Sequence, residues 1–323
     1  MRWLAESVAM DVAAKRNVKI QRHTILRMTV RFRGRIGMRL QDYDTKTRYR
    51  ATVRASKRIT AVDSHEEVRD ILIEVESQEF DVAVGQNIGV LAPGQAEMGQ
   101  EYHFRLYSIA DVPHSTPEGY LQIRICVRRC NTIDEFTGEQ YPGVASNYLC
   151  DLTRGETLTI TGPYGQAFEA PLDPDATLIL ICAGTGIAPF RAFVKYLYSE
   201  ACDFKGRVWL FHGGQTGIDL LYRNQEKDDF ALYYDRDTFE AFDALSNRPG
   251  WSETADWGAA IEDRGEELCR LLSEPTTYVY VAGLEVIRDQ LDEVMAEIAG
   301  ANQTWFRWKE DLQAEGRWIE LLY

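Results

Sequence analysis

The chain has 323 residues, 45% of them hydrophobic, and a formal net charge of −14, which is enough apolar content for two domains with separate cores and too much for a disordered chain. No apolar run approaches the roughly 18 residues of a membrane span, charges stand where a signal-peptide core would lie, and the overall acidity opposes nucleic-acid binding, so a soluble, cytoplasmic protein is expected. Six cysteines without a CxxC pair and five histidines outside any ligand spacing point away from a zinc site or an iron-sulfur cluster, and no metal is expected.

Charge is unevenly spread along the chain. The first 60 residues carry 16 basic and 4 acidic side chains, a balance of +12, and the remainder carries 20 basic and 46 acidic, a balance of −26. Residues 1–47 therefore read as a basic extension on an acidic body. One reading docks the extension on its own chain; the other has it attract an acidic protein partner, because complementary fields raise encounter rates. Residues 15–39 are rich in arginine, but Glu6, Asp11 and the scarcity of serine argue against a transit segment.

From residue 48 the pattern becomes one of short alternating segments: ILIEV at 71–75, LQIRICVR at 121–128 and LTITG at 158–162. In the second, Leu121, Ile123, Ile125 and Val127 face one way, and Gln122, Arg124, Cys126 and Arg128 the other, as in a half-buried antiparallel strand. Turn signals (APG at 92–94, EG at 118–119, PYG at 163–165) separate the runs. The spacing is too short for crossover helices, so residues 48–170 are expected to form a small antiparallel β-barrel. Within it RLYSIA, at 105–110, reads as a strand with Arg105 and Tyr107 on one face and Leu106 and Ser108 on the other. That is either plain sheet surface or one edge of a cofactor site.

After residue 170 the grammar changes. TLILICA (177–183), VWLF (208–211) and YVYVA (278–282) read as strands buried on both faces. Helical patterns lie between them, and after the last strand Ile287, Leu291, Val294 and Ile298 share a helix face that Gly300 ends. Strands alternating with helices predict an α/β domain with a parallel sheet over residues 171–323. AGTGIAPF, at 183–190, joins the first strand to a helix carrying Phe190, Phe193, Val194 and Leu197 inward. Gly184 and Gly186 permit a tight turn, Pro189 suits a first helical turn, and free N–H groups at a helix start attract anions. The turn lacks the GxGxxG spacing, so taken alone it serves a phosphate or a tight turn equally well.

Four motifs now stand in one order: RLYSIA at 105, GVASNYLCDL at 143–152, GTGIAPFRAF at 184–193 and VYVAG at 279–283, followed by a final tyrosine. Residues 48–323 resemble the plant-type ferredoxin-NADP reductase family of flavoproteins. The resemblance implies a two-domain, ferredoxin reductase-like fold in which an FAD-binding barrel precedes a nucleotide-binding domain. Carried over position by position, it implies that Arg105 pairs with the FAD pyrophosphate, Tyr107 stacks on the isoalloxazine and Ser108 hydrogen-bonds near N5. Arg128 and Ser146 complete the FAD contacts. Gly184, Thr185 and Gly186 hold the phosphates of the nicotinamide dinucleotide, Gly283 ends the neighbouring strand, and Tyr323 covers the second flavin face.

The chain departs from the family pattern at several positions. Ala282 replaces the cysteine of VYxCG, Thr132 replaces a tyrosine that stacks on adenine, and the near-terminal glutamate falls on Leu322. Glu320, two places earlier, is left as a candidate catalytic group beside Ser108 and Tyr323. The family's Ser-Arg pair aligns with Ser246 and Asn247, with Arg248 next, and its Tyr-x-Gln element aligns with Ala260, Ile261 and Glu262. A carboxylate at Glu262 would repel a 2′-phosphate, which favours NADH over NADPH, and Arg248 is the residue that could reverse this.

The implied function is an FAD-dependent oxidoreductase passing hydride between NAD(P)H and FAD and single electrons to an acidic carrier such as ferredoxin or flavodoxin, with the basic extension as a docking arm. The alternatives are the NADH-driven reductase component of a multi-subunit oxygenase and a non-catalytic FAD-holding subunit of an electron-transfer assembly.

Overall fold

Strands of alternating burial build the first half of the protein: β1 (Tyr49–Arg58), β2 (Val68–Val75), β3 (Asn87–Pro93), β4 (Tyr102–Ser108), β5 (His114–Ser115), β6 (Leu121–Arg128), β7 (Asn131–Ile133), β8 (Gln140–Pro142), helix α1 (Val144–Asp151) and β9 (Thr157–Tyr164). This computed structural model describes residues 40–94, 99–133, 139–200, 202–247 and 255–323. The basic extension lies outside the described residues as far as residue 39. Residues Tyr43–Tyr323 form one compact unit, separate from the unit that ends at Asp42.

Seven strands make one antiparallel sheet in the order β4-β3-β9-β1-β2-β6-β5. It curls back on itself: Ile109, just past β4, bridges Ile125 of β6, and the Ala110 N–H donates to the Arg124 carbonyl at 2.8 Å. The expected barrel is thus stitched at this seam by a single bridge and not by a full ladder. Ile71, Ile73, Ile123, Ile125 and Val127 enter one core with Ile88, Val90 and Ile160, as period two requires, and Leu149 and Cys150 of α1 pack into it. The PYG turn expected at 163–165 begins later than the sequence suggests. Pro163 and Tyr164 belong to β9, because the Tyr164 ring packs edge-on against Tyr43 and Phe104, at 5.0 and 5.9 Å between centroids.

The second half contains β10 (Thr177–Ala183), α2 (Ile187–Leu197), β11 (Arg207–Gly214), β12 (Phe239–Leu245), α3 (Trp257–Glu262), α4 (Gly265–Ser273), β13 (Thr277–Gly283), α5 (Val286–Ile298), α6 (Asn302–Ala314) and β14 (Trp318–Leu322). Its sheet is parallel throughout, in the order β12-β11-β10-β13-β14. The three apolar runs are its central strands. The two outer strands, FEAFDAL and WIELL, carry polar residues that an edge tolerates and a buried-run search passes over. On α5 the buried contacts are Ile287, Leu291 and Met295, with Val294 and Ile298 at the margin, and Gly300 ends the segment with φ +75°.

The parallel sheet is covered on both faces. Ile179, Ile181, Trp209, Phe211, Val279 and Val281 lie with α4 and α5. Leu178, Leu180 and Cys182 lie on the other face with Phe190 and Phe193 of α2, in a core that also contains Ile59, Val68, Ala110 and Cys126 from the barrel. Each fully buried aromatic there contributes roughly 1.5–3 kcal/mol relative to exposure. A continuous apolar seam therefore sets the barrel against this face of the sheet.

Candidate cofactor cleft

The turn after β10 has the form an anion site needs. Gly184 takes φ +55°, and nothing lies within 4 Å of where its Cβ would be, so the main chain faces open space there. Gly186 differs from it. It is buried, and a Cβ would come 2.3 Å from the Ala282 carbonyl oxygen. Glycine at 186 therefore lets the turn press against β13 and is a packing requirement, whereas Gly184 and the half-buried Thr185 remain accessible. Gly283 has φ +145° and passes close to Ala183. Helix α2 begins at Ile187, with Pro189 in its first turn, and aims the positive end of its dipole at this turn.

Parallel pairing of β14 with β13 puts Leu322 opposite Gly283 and brings Tyr323 to the same place. The Tyr323 N–H donates to the Gly283 carbonyl at 3.1 Å, and its hydroxyl lies 2.5 Å from Thr185 Oγ1. Although Tyr323 is 58% exposed as a residue, its hydroxyl end is hemmed in. Burial pushes its pKa up to about 12, against the opposing pull of the Thr185 hydrogen bond and of the nearby Arg128 charge. Gly184, Thr185, Gly283 and Tyr323 thus meet at the carboxyl edge of the sheet.

The RLYS strand forms the barrel side. Arg105 is exposed, and one of its donors is used on its neighbour's carbonyl, Phe104 O, at 2.8 Å, which leaves most of the guanidinium fork open. Tyr107 packs against the barrel core, and burial raises its pKa. The Ser108 hydroxyl donates to Asn87 Oδ1 at 2.7 Å. Arg128 pairs with Glu66. Ser146 lies in the first turn of α1, where its hydroxyl accepts from the Cys130 N–H at 3.1 Å and so pins the helix start beside the end of β6. An open arginine fork, a half-buried aromatic ring, an oriented hydroxyl and a helix start form a donor set that fits a flavin dinucleotide. Of Thr132 only the backbone, in β7, is described.

Two acidic residues singled out in the sequence take the following places in the fold. Glu320 pairs with Val281, on the sheet face away from the cleft, and is held by Arg288 Nε at 2.8 Å, Trp318 Nε1 at 2.9 Å and Lys309 Nζ at 3.1 Å. Burial pushes its carboxyl up, but these donors outweigh burial and keep the pKa below the usual range. Its carboxylate thus lies on the sheet face opposite α2 and the barrel contacts. Glu262 ends α3 and is exposed. It lines a groove of about 490 Å³ with Glu266, Cys269 and Glu297. Glu297 lies in the last turn of α5, roughly 15 Å along that helix from the carboxyl edge of β13. Asn247 Nδ2 donates to Asp256, the N-cap of α3, and Arg248 lies outside the described residues.

Sequence reasoning missed Asn87, the acceptor that orients Ser108, and Arg191, an arginine 3% exposed in α2. The only sequence signal for Arg191 is a charge inside the apolar run IAPFRAF. Among the described residues no cluster of His, Cys, Asp and Glu is arranged to hold a metal ion, and no helix is long and apolar enough to cross a membrane.

Residues 180–292 match the family described as oxidoreductase NAD-binding domain. The chain is 34% identical over 268 residues to the ferredoxin-NADP reductase of Picosynechococcus sp., covering 79% of this chain and 65% of that one. It is 33% identical over 257 residues to the ferredoxin-NADP reductase of Spirulina sp., covering 78% and 87%. It is 32% identical over 293 residues to the chloroplastic ferredoxin-NADP reductase of Mesembryanthemum crystallinum, covering 89% and 79%. The chain thus spans about two thirds of the Picosynechococcus relative's length and most of the other two. Among solved structures, ferredoxin-NADP+ reductase from Plasmodium falciparum shares the fold with a TM-score of 0.65 at 19% identity, covering 87% of this chain and 98% of that one.

Proposed function

The chain belongs to the ferredoxin-NADP reductase family, and we propose that it is an FAD-dependent oxidoreductase exchanging hydride with NADP(H) and single electrons with a ferredoxin-like protein. The observation that carries the reading is the Tyr323–Thr185 contact. It fastens the final tyrosine to the turn that would take the nucleotide's phosphates.

Bound FAD supplies the two-electron chemistry. Arg105 offers a fork of donors to its pyrophosphate, with the start of α1 alongside. Tyr107 presents a ring face, and Ser108, oriented by Asn87, presents a hydroxyl oxygen. Gly184 and Thr185 receive the nucleotide's phosphates, while Gly186 keeps the turn pressed against β13. Tyr323 leaves Thr185 when the nicotinamide enters, so the ring acts as a displaceable cover. Ala282 places a methyl group where many relatives carry a thiol, and Glu320 takes no part.

The nucleotide is NADP(H). The relatives' names support it, and the argument for NADH rested on Glu262. An acidic carrier protein is assigned to the basic extension, because the remainder of the chain is acidic.

Anaerobic stopped-flow mixing with NADPH and NADH in parallel tests the reading. Rapid flavin bleaching, with the higher kcat/KM for NADPH, is expected. Flavin that stays oxidised with both nucleotides would overturn the reductase reading and leave an FAD-holding subunit in its place.

A further inference from the structure

Arg191 sits on α2, one turn beyond Gly184–Gly186, and is 3% exposed. A buried guanidinium is costly unless its donors are taken up, and here they are. Nη1 donates to the Ala110 carbonyl, Nη2 lies 3.1 Å from Asp111 Oδ2 and Nε 2.5 Å from Asp229 Oδ2, and the plane stacks over Tyr222 at 4.7 Å. Ala110 and Asp111 follow directly on the strand that ends at Ser108. That backbone is fixed by the Ile109 N–H on Gln86 O at 3.0 Å and the Ala110 N–H on Arg124 O at 2.8 Å.

We propose that Arg191 is a positioning residue that fixes the register of the dinucleotide turn against the Arg105–Ser108 strand, so that hydride transfer depends on it although it touches neither cofactor. The inference rests on the reductase reading above.

The links form a continuous path: Ser108, two residues of pinned backbone, the Ala110 carbonyl, Arg191, and one helical turn back to Gly186. Around it the barrel contributes Asp70, Asp111 and Arg124, and the α/β half contributes Lys195, Lys227, Asp229 and Tyr222. Asp70, 1% exposed, pairs with Arg124 and meets Lys227 Nζ and the Tyr222 hydroxyl, each at 3.1 Å. Lys195 reaches Asp111 at 2.6 Å.

Adhesion alone does not call for such a cluster. The apolar seam of Phe190, Phe193, Ala110 and Cys126 already joins the halves, and buried ion networks are often replaceable by apolar side chains without loss of stability. A planar fork of directed donors adds what an apolar contact lacks, resistance to sliding. Hydride transfer is sensitive to that property, since displacement of about 1 Å can cost on the order of a hundredfold in rate.

The test uses the FAD-loaded full chain with Arg191→Lys, Arg191→Met and, as a control, Lys195→Met, which alters the same helix and the same Asp111 but not the Ala110 link. The readouts are FAD content, nucleotide Kd from the flavin spectrum, and the limiting rate of flavin reduction. The expected result is full FAD content and a Kd within threefold of wild type, with the limiting rate at least tenfold lower for Arg191→Met, partly restored in Arg191→Lys, and within twofold for Lys195→Met. Wild-type rates in either Arg191 variant overturn the proposal, and so does a loss shared equally by Lys195→Met. If Arg191→Met does not fold, the Arg191→Lys rate decides. A wild-type protein that neither nucleotide reduces fails at the earlier step and removes the reductase reading itself.

Discussion

The Tyr323 hydroxyl and Thr185 Oγ1, 138 residues apart in sequence, lie 2.5 Å from each other. On the proposed reading an incoming nicotinamide competes with this contact, and its loss is expected to raise nucleotide affinity. One hydrogen bond plus the ring's packing is worth about 1.5 kcal/mol, or roughly tenfold in Kd. Tyr323→Ser is expected to bind NADP+ about tenfold more tightly, read by titrating the flavin spectrum. An unchanged Kd would show that the ring does not stand in the nucleotide's way.

Ser108 is oriented by Asn87 at 2.7 Å, while on the proposed reading FAD is gripped by other groups, Arg105 and Tyr107 among them. Removing the hydroxyl therefore affects the reacting end more than retention of the cofactor. Ser108→Ala is expected to slow flavin reduction by about tenfold or more, the equivalent of one well-placed hydrogen bond, with FAD content unchanged. Asn87→Ala, which removes only the orienting partner, should slow it less. Stopped-flow reduction of both variants distinguishes the two roles, and equal wild-type rates would remove Ser108 from the chemistry.

What could be read from the chain follows from how local each signal is. Alternation in LQIRICVR and continuity in TLILICA report burial directly, so β6 and β10 were legible. Strands β12 and β14 were not, because an edge strand keeps polar residues. The role first given to Glu320 relied on its nearness in sequence to the family's near-terminal glutamate position. The pairing of Glu320 with Val281 turns it to the opposite face, and only the ladder register reveals that. Arg191 reads as a solvated charge until the barrel closes over it. Its partners, Ala110, Asp111 and Asp229, lie 81, 80 and 38 residues away.

Nucleotide choice gives a further test. Glu262 lies in a groove with Glu266 and Glu297, where added negative charge would not favour a 2′-phosphate, and on the proposed reading it takes no part in nucleotide choice. Glu262→Gln should leave kcat/KM for both NADPH and NADH within twofold of wild type in steady-state assays. A selective gain for NADPH would return Glu262 to the 2′-phosphate site.

Glu320 should behave as a structural anchor. Glu320→Gln loses charge-assisted bonds to Arg288 and Lys309, and Lys309, 7% exposed, keeps Asp292 at 2.8 Å as its ion-pair partner among the described residues. A loss of about 1–3 kcal/mol in unfolding free energy is expected, with flavin reduction within twofold of wild type. Because the carboxyl's folded pKa is lowered, its stabilisation is present above the ordinary glutamate range and fades as pH falls through the folded pKa. Urea unfolding at neutral pH and near pH 4 reads that slope, and a large rate defect without a stability defect would contradict the assignment.

His212 is fully buried in β11, and neither ring nitrogen has a hydrogen-bond partner among the described residues. Burial, helped by the nearby Arg223 charge, lowers its pKa to about 3, whereas an unfolded histidine titrates near 6.5. Between these values the unfolded chain holds the extra proton. The associated stability is therefore complete above about pH 6.5 and is lost as pH falls towards 3, at up to ~1.4 kcal/mol per unit. His212→Leu removes that dependence together with two unpaired nitrogens. Urea unfolding of the two proteins at pH 7, 6 and 5 should show the variant losing less stability than wild type, by about 2 kcal/mol between pH 7 and pH 5. Parallel losses would mean that His212 takes up a proton within the fold.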